Sequence, residues 1–255
     1  ELFFGERRFG KTTVVLEEFL EGEEVSLLAL CDGTHAVPMA PAQDYKRIFD
    51  NDEGPNTGGM GSYSPVPGFD DARARELAAQ VHQPIVDELR HRGTPFHGVL
   101  YAGLMITANG PKVLEYNARF GDPETQAILP RLRSDLLDLL DRASRPGALE
   151  GAEIEWSPEW AVTVVLASRG YPESSSKGDE ITGLDAVGDD VLHAGTALEG
   201  GRFVTAGGRV LNVVGLGEGP GQARDRAYEL ADKIDFDGKQ MRRDIAARAV
   251  KKVEA

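Results

Sequence analysis

The chain has 255 residues, 41% of them apolar and 27% charged, and carries 42 acidic against 28 basic side chains for a net charge of −14. That length buries a sizeable core, and so acidic a surface argues against a general nucleic-acid or anionic-membrane role while leaving room for a local phosphate site. The single cysteine, Cys31, excludes an internal disulfide and points to a reducing cytoplasm, and no run of about 18 apolar residues marks a membrane span.

The sequence opens on Glu1 rather than Met and soon enters an apolar run, so it reads as starting inside a longer protein. Residues 13–19 and 24–31, apolar and rich in Val and Leu, predict two strands joined by a turn at Glu21-Gly22-Glu23. A turn at Gly33-Thr34 leads to a short strand over 35–39. Residues 40–68, rich in Gly, Pro, Asn and Asp and without periodicity, predict a long loop. Asp70 is placed as the N-cap of a helix over 72–90, with Pro84 kinking or breaking it. Residues 99–107 predict a buried strand, Asn109-Gly110 a hairpin turn, and 112–116 the return strand. Asp122 is expected to cap a helix opened by Pro123, and 134–142 predict another helix. The segment 145–158, with two Pro and two Gly, predicts a domain boundary. Beyond it, 160–168, 190–199, 202–206 and 208–216 predict strands, and 223–234 and 241–253 amphipathic helices. The fold class is therefore α+β, an antiparallel sheet with helices followed by a small α+β domain.

Glu115, Asn117 and Arg119 alternate along one extended segment, so their side chains share a face. Carboxylate and amide oxygens suit Mg²⁺, and a guanidinium beside them can hold phosphate oxygens. Asp122 and Glu124 follow, where they can accept from a substrate amine. The same spacing also fits a hairpin strand ending in solvated polar residues. In the acidic run Glu17-Glu18-Phe19-Leu20-Glu21-Gly22-Glu23-Glu24, the backbone can pair with an adenine and Glu24 with a ribose, or the run is a solvated hairpin. Lys46 and Arg47 can meet phosphate, and Asn56-Thr57-Gly58-Gly59-Met60-Gly61 can close on a small ligand or form a plain surface loop. His193, Gly195, Thr196 and Arg209 read by themselves as strand and turn residues.

Taken in order, VVLEEFLEGEEVSLLAL, PMAPAQDYKRIFDNDEGPNTGGMGSYSP, GVLYAGLMI, VLEYNARFGDPETQAILPRLRSDL and HAGTALEGGRFVTAGGRVLNVVGLG resemble the phosphoribosylamine–glycine ligases (glycinamide ribonucleotide synthetases) of the ATP-grasp superfamily, over about residues 13–250. The resemblance implies the C-terminal part of an ATP-grasp fold. A remnant of its lid would lie at 1–12, its core at 13–148 and the ligase's C-terminal domain at 149–255. It implies an ATP-dependent carbon–nitrogen ligase of purine biosynthesis, which joins glycine to 5-phosphoribosylamine through a glycyl phosphate. By the same likeness Glu115 and Asn117 are ligands of Mg²⁺ or Mn²⁺. Arg119 contacts the transferring phosphate, and Asp122 and Glu124 hold the amine. Glu17, Glu18, Phe19, Leu20 and Glu24 hold ATP. Lys46, Arg47 and Asn56, Thr57, Gly58, Gly59, Met60 and Gly61 enclose phosphoribosylamine and glycine, with His193, Gly195, Thr196 and Arg209 closing over them. The implied partners are these small molecules only, with no nucleic acid and no membrane, in a monomeric full-length enzyme of the cytoplasm. Two departures stand out. The strand over 99–106 carries no acid where many relatives place a further metal carboxylate, and the family's N-terminal domain and lysine-bearing lid do not precede Glu1, so the chain by itself is expected to be inactive. The alternatives are a different ATP-grasp ligase and a non-catalytic nucleotide-binding module.

Overall fold

The computed structural model describes Thr13 and residues 15–254; the lid remnant expected at 1–12 lies outside the described residues. The chain forms β1 (Glu23–Asp32), β2 (Ala36–Pro38), β3 (Gln43–Asp44), β4 (Arg47–Phe49), β5 (Glu53–Asn56), β6 (Gly61–Ser64), α1 (Asp71–Val81) and α2 (Gln83–His91). The hairpin β7 (His97–Thr107) and β8 (Gly110–Asn117) follows, then α3 (Glu124–Ile128) and α4 (Leu136–Ala143). The remainder is β9 (Trp160–Ala167), β10 (Val191–His193), β11 (Thr196–Glu199), β12 (Arg202–Thr205), β13 (Arg209–Gly217), α5 (Pro220–Ala231) and α6 (Ala247–Glu254). Among the described residues no helix is long and apolar enough to cross a membrane.

The first sheet has the order β2-β1-β7-β8, and every pairing in it is antiparallel. β1 is buried from Val25 to Asp32 because it lies between two neighbours and is covered on both faces. Leu28 and Leu30 point into one cluster with Val99, Tyr101, Ile128 and Leu139, while Val25 and Leu27 point into another with Leu77, Ala102 and Leu104. Period-two alternation thus serves two cores at once. Among its described residues, the strand expected over 13–19 is not formed. Val14 lies outside the described residues, and Val15, Leu16 and Phe19 are 77, 93 and 90% exposed. The physical reason is that β1 has no free edge for it. β7 runs along one side of β1, and β2 with Ala42 and Gln43 takes the other, where Ser26 and Ala42 exchange backbone bonds and the Gln43 amide donates to Glu24 O.

Residues 40–68 are not the loop that composition suggests, since they carry β3, β4, β5 and β6, strands of two to four residues too short to show a period. β6 pairs with β9, so the second sheet has the order β10-β13-β9-β6-β3 and draws strands from both sides of the 145–158 segment. The larger hydrophobic core is continuous across it, from Leu27 and Tyr63 to Val162, Val164 and Val213.

The helix expected over 72–90 divides at His82, with Pro84 in the first turn of α2, where a missing N–H is harmless. Asp70 caps α1, its carboxylate accepting from Arg73 N at 2.8 Å. Asp70→Ala is expected to lower stability by about 1 kcal/mol, read as a shift in urea midpoint at unchanged slope. The hairpin turn falls on 108–109, one residue earlier than expected, with Gly110 taking the positive φ of +101°. Asp122 does not cap α3; Pro123 occupies that position without a side-chain bond. The strand expected over 190–199 is two strands, broken where Ala194 and Gly195 donate to Val210 O and Arg209 O. The helix expected over 241–253 begins only at Ala247, because Ala246 adopts a φ of +61°.

Candidate active site

The β7–β8 hairpin, the turn into α3 and the end of β3 converge on a cavity of about 130 Å³. β8 supplies Glu115, opposite Gly103, and Asn117, opposite Tyr101. A bulge lies beside Gly103, and the Glu115 side chain passes over that glycine: a Cβ there would sit 3.2 Å from Glu115 Cγ. The bulge re-aims β8 at the point where its carboxylate enters the cavity. Arg119 lies just past the strand, its Nη1 donating to Phe120 O at 3.0 Å.

Glu124 opens α3 and is 3% exposed. Ser26 Oγ donates to its Oε1 at 3.0 Å, and Tyr101 Oη lies 3.0 Å from the same Ser26 hydroxyl. Asp44 and Lys46, two residues apart in the chain, both line the cavity. Burial, then the neighbouring Glu124 carboxylate, push the Asp44 carboxyl from its ordinary value near 3.8 up to about 7, with Lys46 opposing. Burial works against the Lys46 ammonium, but Asp44, the bonded Glu24 and Glu115 outweigh it and hold Lys46 charged. Thr57 and Gly58 form the lip, together with Gly121 and Asp122. A second cavity of about 360 Å³ shares Asp44 and Lys46 and adds Glu24, Arg47, Asn56 and Arg248.

The described residues contain no group of three or more His, Cys, Asp and Glu placed to hold a metal ion. The donor set in the cavity, one carboxylate and one amide on adjacent same-face positions of β8, fits a hard cation that keeps waters and takes phosphate oxygens for its remaining ligands.

Residues 1–125 match the ATP-grasp (A) domain of phosphoribosylglycinamide synthetase, and residues 161–248 match the C domain of the same enzyme. The chain belongs to the phosphoribosylglycinamide synthetase family. The phosphoribosylamine–glycine ligase of Streptomyces coelicolor is 54% identical over 242 residues, covering 92% of this chain and 58% of that protein. That of Caldanaerobacter subterraneus subsp. tengcongensis is 47% identical over 250 residues, covering 97% of this chain and 60% of its own length. The crystal structure of phosphoribosylamine–glycine ligase from Thermotoga maritima matches with a TM-score of 0.76 at 40% identity, over 89% of this chain and 56% of that one. The chain thus spans a little under two thirds of the length of these relatives, and its fold is the expected part of an ATP-grasp architecture with a small α+β unit after it.

Within this synthetase-family fold, Lys46, Thr57, Gly58, Glu115, Asn117, Arg119, Asp122 and Glu124 meet in the one cavity, and Glu24, Arg47 and Asn56 in the adjoining one. The other residues singled out from the sequence lie elsewhere. Met60 is buried against Ile48 and Ala167, with Gly59 packed on Pro123 and Gly61 in β6. Glu17, Glu18, Phe19 and Leu20 line neither cavity; Glu18 lies 3.8 Å from Lys112. His193 faces Thr196 Oγ1 at 3.0 Å and Phe203, and Gly195 backs the Arg209 carbonyl. Sequence reasoning missed Asp44, Tyr101 and Ser26. Asp44 was findable, because it is two residues from Lys46 and must share a face with it in any extended segment.

Proposed function

We propose that this chain forms the metal- and amine-handling part of a phosphoribosylamine–glycine ligase, which uses ATP to join glycine to 5-phosphoribosylamine, giving glycinamide ribonucleotide, ADP and phosphate. The observation that carries the proposal is one small cavity holding Glu115 and Asn117, two cations (Lys46 and Arg119) and two carboxylates, the half-buried Asp44 and the buried Glu124. Glu115 and Asn117 would hold Mg²⁺ or Mn²⁺, which when bound neutralises the nucleotide phosphates. Arg119 and Lys46 face the phosphoryl group as a glycine carboxylate oxygen attacks it and ADP departs. The ribosylamine nitrogen then attacks the glycyl carbon and phosphate leaves, with one N–H proton to be lost. Asp44 and Glu124 hold the amine in our reading, and Asp44, titrating near neutrality, takes that proton. Asp122, the other carboxylate assigned to the amine from sequence, lines the same cavity and pairs with Arg209 at 3.0 Å. Glu24, in the adjoining cavity, keeps the ribose role. The enzyme so described works in the cytoplasm as a monomer on small molecules.

The test is ADP release by the whole enzyme carrying this chain. Glycine and phosphoribosylamine together are expected to drive it; release driven by bicarbonate or formate instead would assign a different ATP-grasp ligase.

The unliganded chain gives a further expected result. Below about pH 4 Asp44 is protonated whether folded or unfolded. Between about 4 and 7 only the folded chain keeps the proton, so stability falls as pH rises through that window and is level above it. Asp44→Asn flattens this decline, measured as urea midpoints from pH 4 to 8; an unchanged slope in the variant would refute the assignment.

A further inference from the structure

Arg209 begins β13 on an anchored stretch of backbone. Ser168 N donates to Gly208 O at 2.8 Å, Ser168 Oγ donates to Gly207 O at 2.9 Å, and Gly195 N donates to Arg209 O at 2.9 Å. Gly208 is held so close to the Tyr171 ring that a Cβ could not be accommodated. From this fixed origin Arg209 Nη1 donates to Gly58 O at 2.7 Å and to Asp122 O at 2.7 Å, and lies 3.0 Å from Asp122 Oδ1. The other peptide group of Gly58 is also held, its N–H donating to Tyr171 Oη at 2.9 Å.

Two lips of the cavity, Thr57-Gly58 and Gly121-Asp122, are remote in sequence and meet at this single guanidinium. Arg209 is not among the residues that line the cavity and reaches it through Gly58 and Asp122, which are. All three contacts converge on one nitrogen, Nη1, whose two N–H bonds serve the two carbonyls while its charge attracts the Asp122 carboxylate. The backbone of β13 belongs to the sheet that includes β9, so the second sheet dictates the separation of the two lips.

We infer that Arg209 is a positioning residue that locks the Gly58 and Asp122 segments together and thereby sets affinity for the amine-bearing substrates far more than for ATP, whose ribose falls to Glu24 in the adjoining cavity. The inference rests on the ligase reading of the cavity. It differs from the role of direct substrate contact that the sequence suggested for Arg209.

The test has two arms. In the whole enzyme, Arg209→Ala is expected to lower kcat/KM for glycine about 100-fold, the scale of a misplacement near 1 Å, with a raised glycine KM and the ATP KM within about twofold of the parent. Arg209→Lys restores part of this, and Tyr171→Phe, which releases only the Gly58 N–H, shifts glycine KM in the same direction by less. In the second arm, hydrogen–deuterium exchange of the peptide spanning 56–61 is faster in Arg209→Ala than in the parent, with no substrate present. If the parent shows no glycine-dependent turnover, the ligase reading fails and the exchange arm alone decides the clamp. An unchanged glycine KM, a parallel rise in ATP KM, or unaltered exchange overturns the inference. Should Arg209→Ala not fold, Arg209→Lys and Tyr171→Phe are read by the same criteria.

Discussion

Glu115→Ala in the whole enzyme is expected to lower kcat by about 10²–10³, the scale of losing the several kcal/mol of charge stabilisation that a metal ion held by this carboxylate would supply. Glu115 is an exposed residue on β8, so its removal leaves folding intact and the loss falls on chemistry. The bulge beside Gly103 directs this carboxylate into the cavity alongside Asn117. Metal dependence separates this role from a simple surface charge. The variant is expected to require a higher Mg²⁺ concentration for half-maximal rate, and Asn117→Ala to show the same shift with a smaller loss of rate. A Glu115→Ala enzyme with unaltered metal dependence and a kcat within a few-fold of the parent would remove Glu115 from the ligand set.

The largest effect on stability is expected at Arg242, whose side chain is fully enclosed. It donates to both carboxylate oxygens of Asp244 at 2.7 and 2.6 Å, to Asp52 at 2.9 Å and to Arg47 O at 3.1 Å. It also lies over the Tyr45 ring, 4.7 Å from the centroid. Breaking a buried ion pair by deleting one partner costs about 3–5 kcal/mol. Asp52 is half exposed and recovers some hydration, so the lower end, about 3 kcal/mol, is expected for Arg242→Ala. Urea unfolding followed by circular dichroism checks this. A loss below about 1 kcal/mol would show that the network contributes little beyond filling space. Arg242 also fixes the backbone at Arg47, next to Lys46, so the variant is expected to weaken the cavity's cationic side as well.

The hairpin that carries Glu115 and Asn117 was legible in the sequence because the apolar run over 99–106 is followed by an Asn-Gly turn signal, and period two then fixes which side chains share a face. The break near Pro84 and the Asp70 cap were legible from the geometry of single residues. The pairing of Asp44 with Glu124 was not, because it depends on β3 and α3 meeting across Ser26 of β1, and no local pattern records that. The strand expected over 13–19 failed for the opposite reason. Its residues suit a strand, but a strand also needs a vacant neighbour, and Ala42 and Gln43 already occupy the edge of β1. Arg209 was noticed for its place beside two glycines, yet its job depends on two distant carbonyls that only the folded chain brings within 2.7 Å.

The second sheet interleaves β3 and β6, from before the 145–158 segment, with β9, β10 and β13 from after it. That stitching governs how the chain can be cut or exchanged. A protein divided at the Pro- and Gly-rich segment would leave the β6 side of β9 unpaired on one piece and the apolar face of β6 uncovered on the other, and neither piece would be a self-sufficient folding unit. Swapping everything after residue 158 for the equivalent part of a relative therefore succeeds only if that part presents the same edge to β6. The two halves are obliged to change as a matched set.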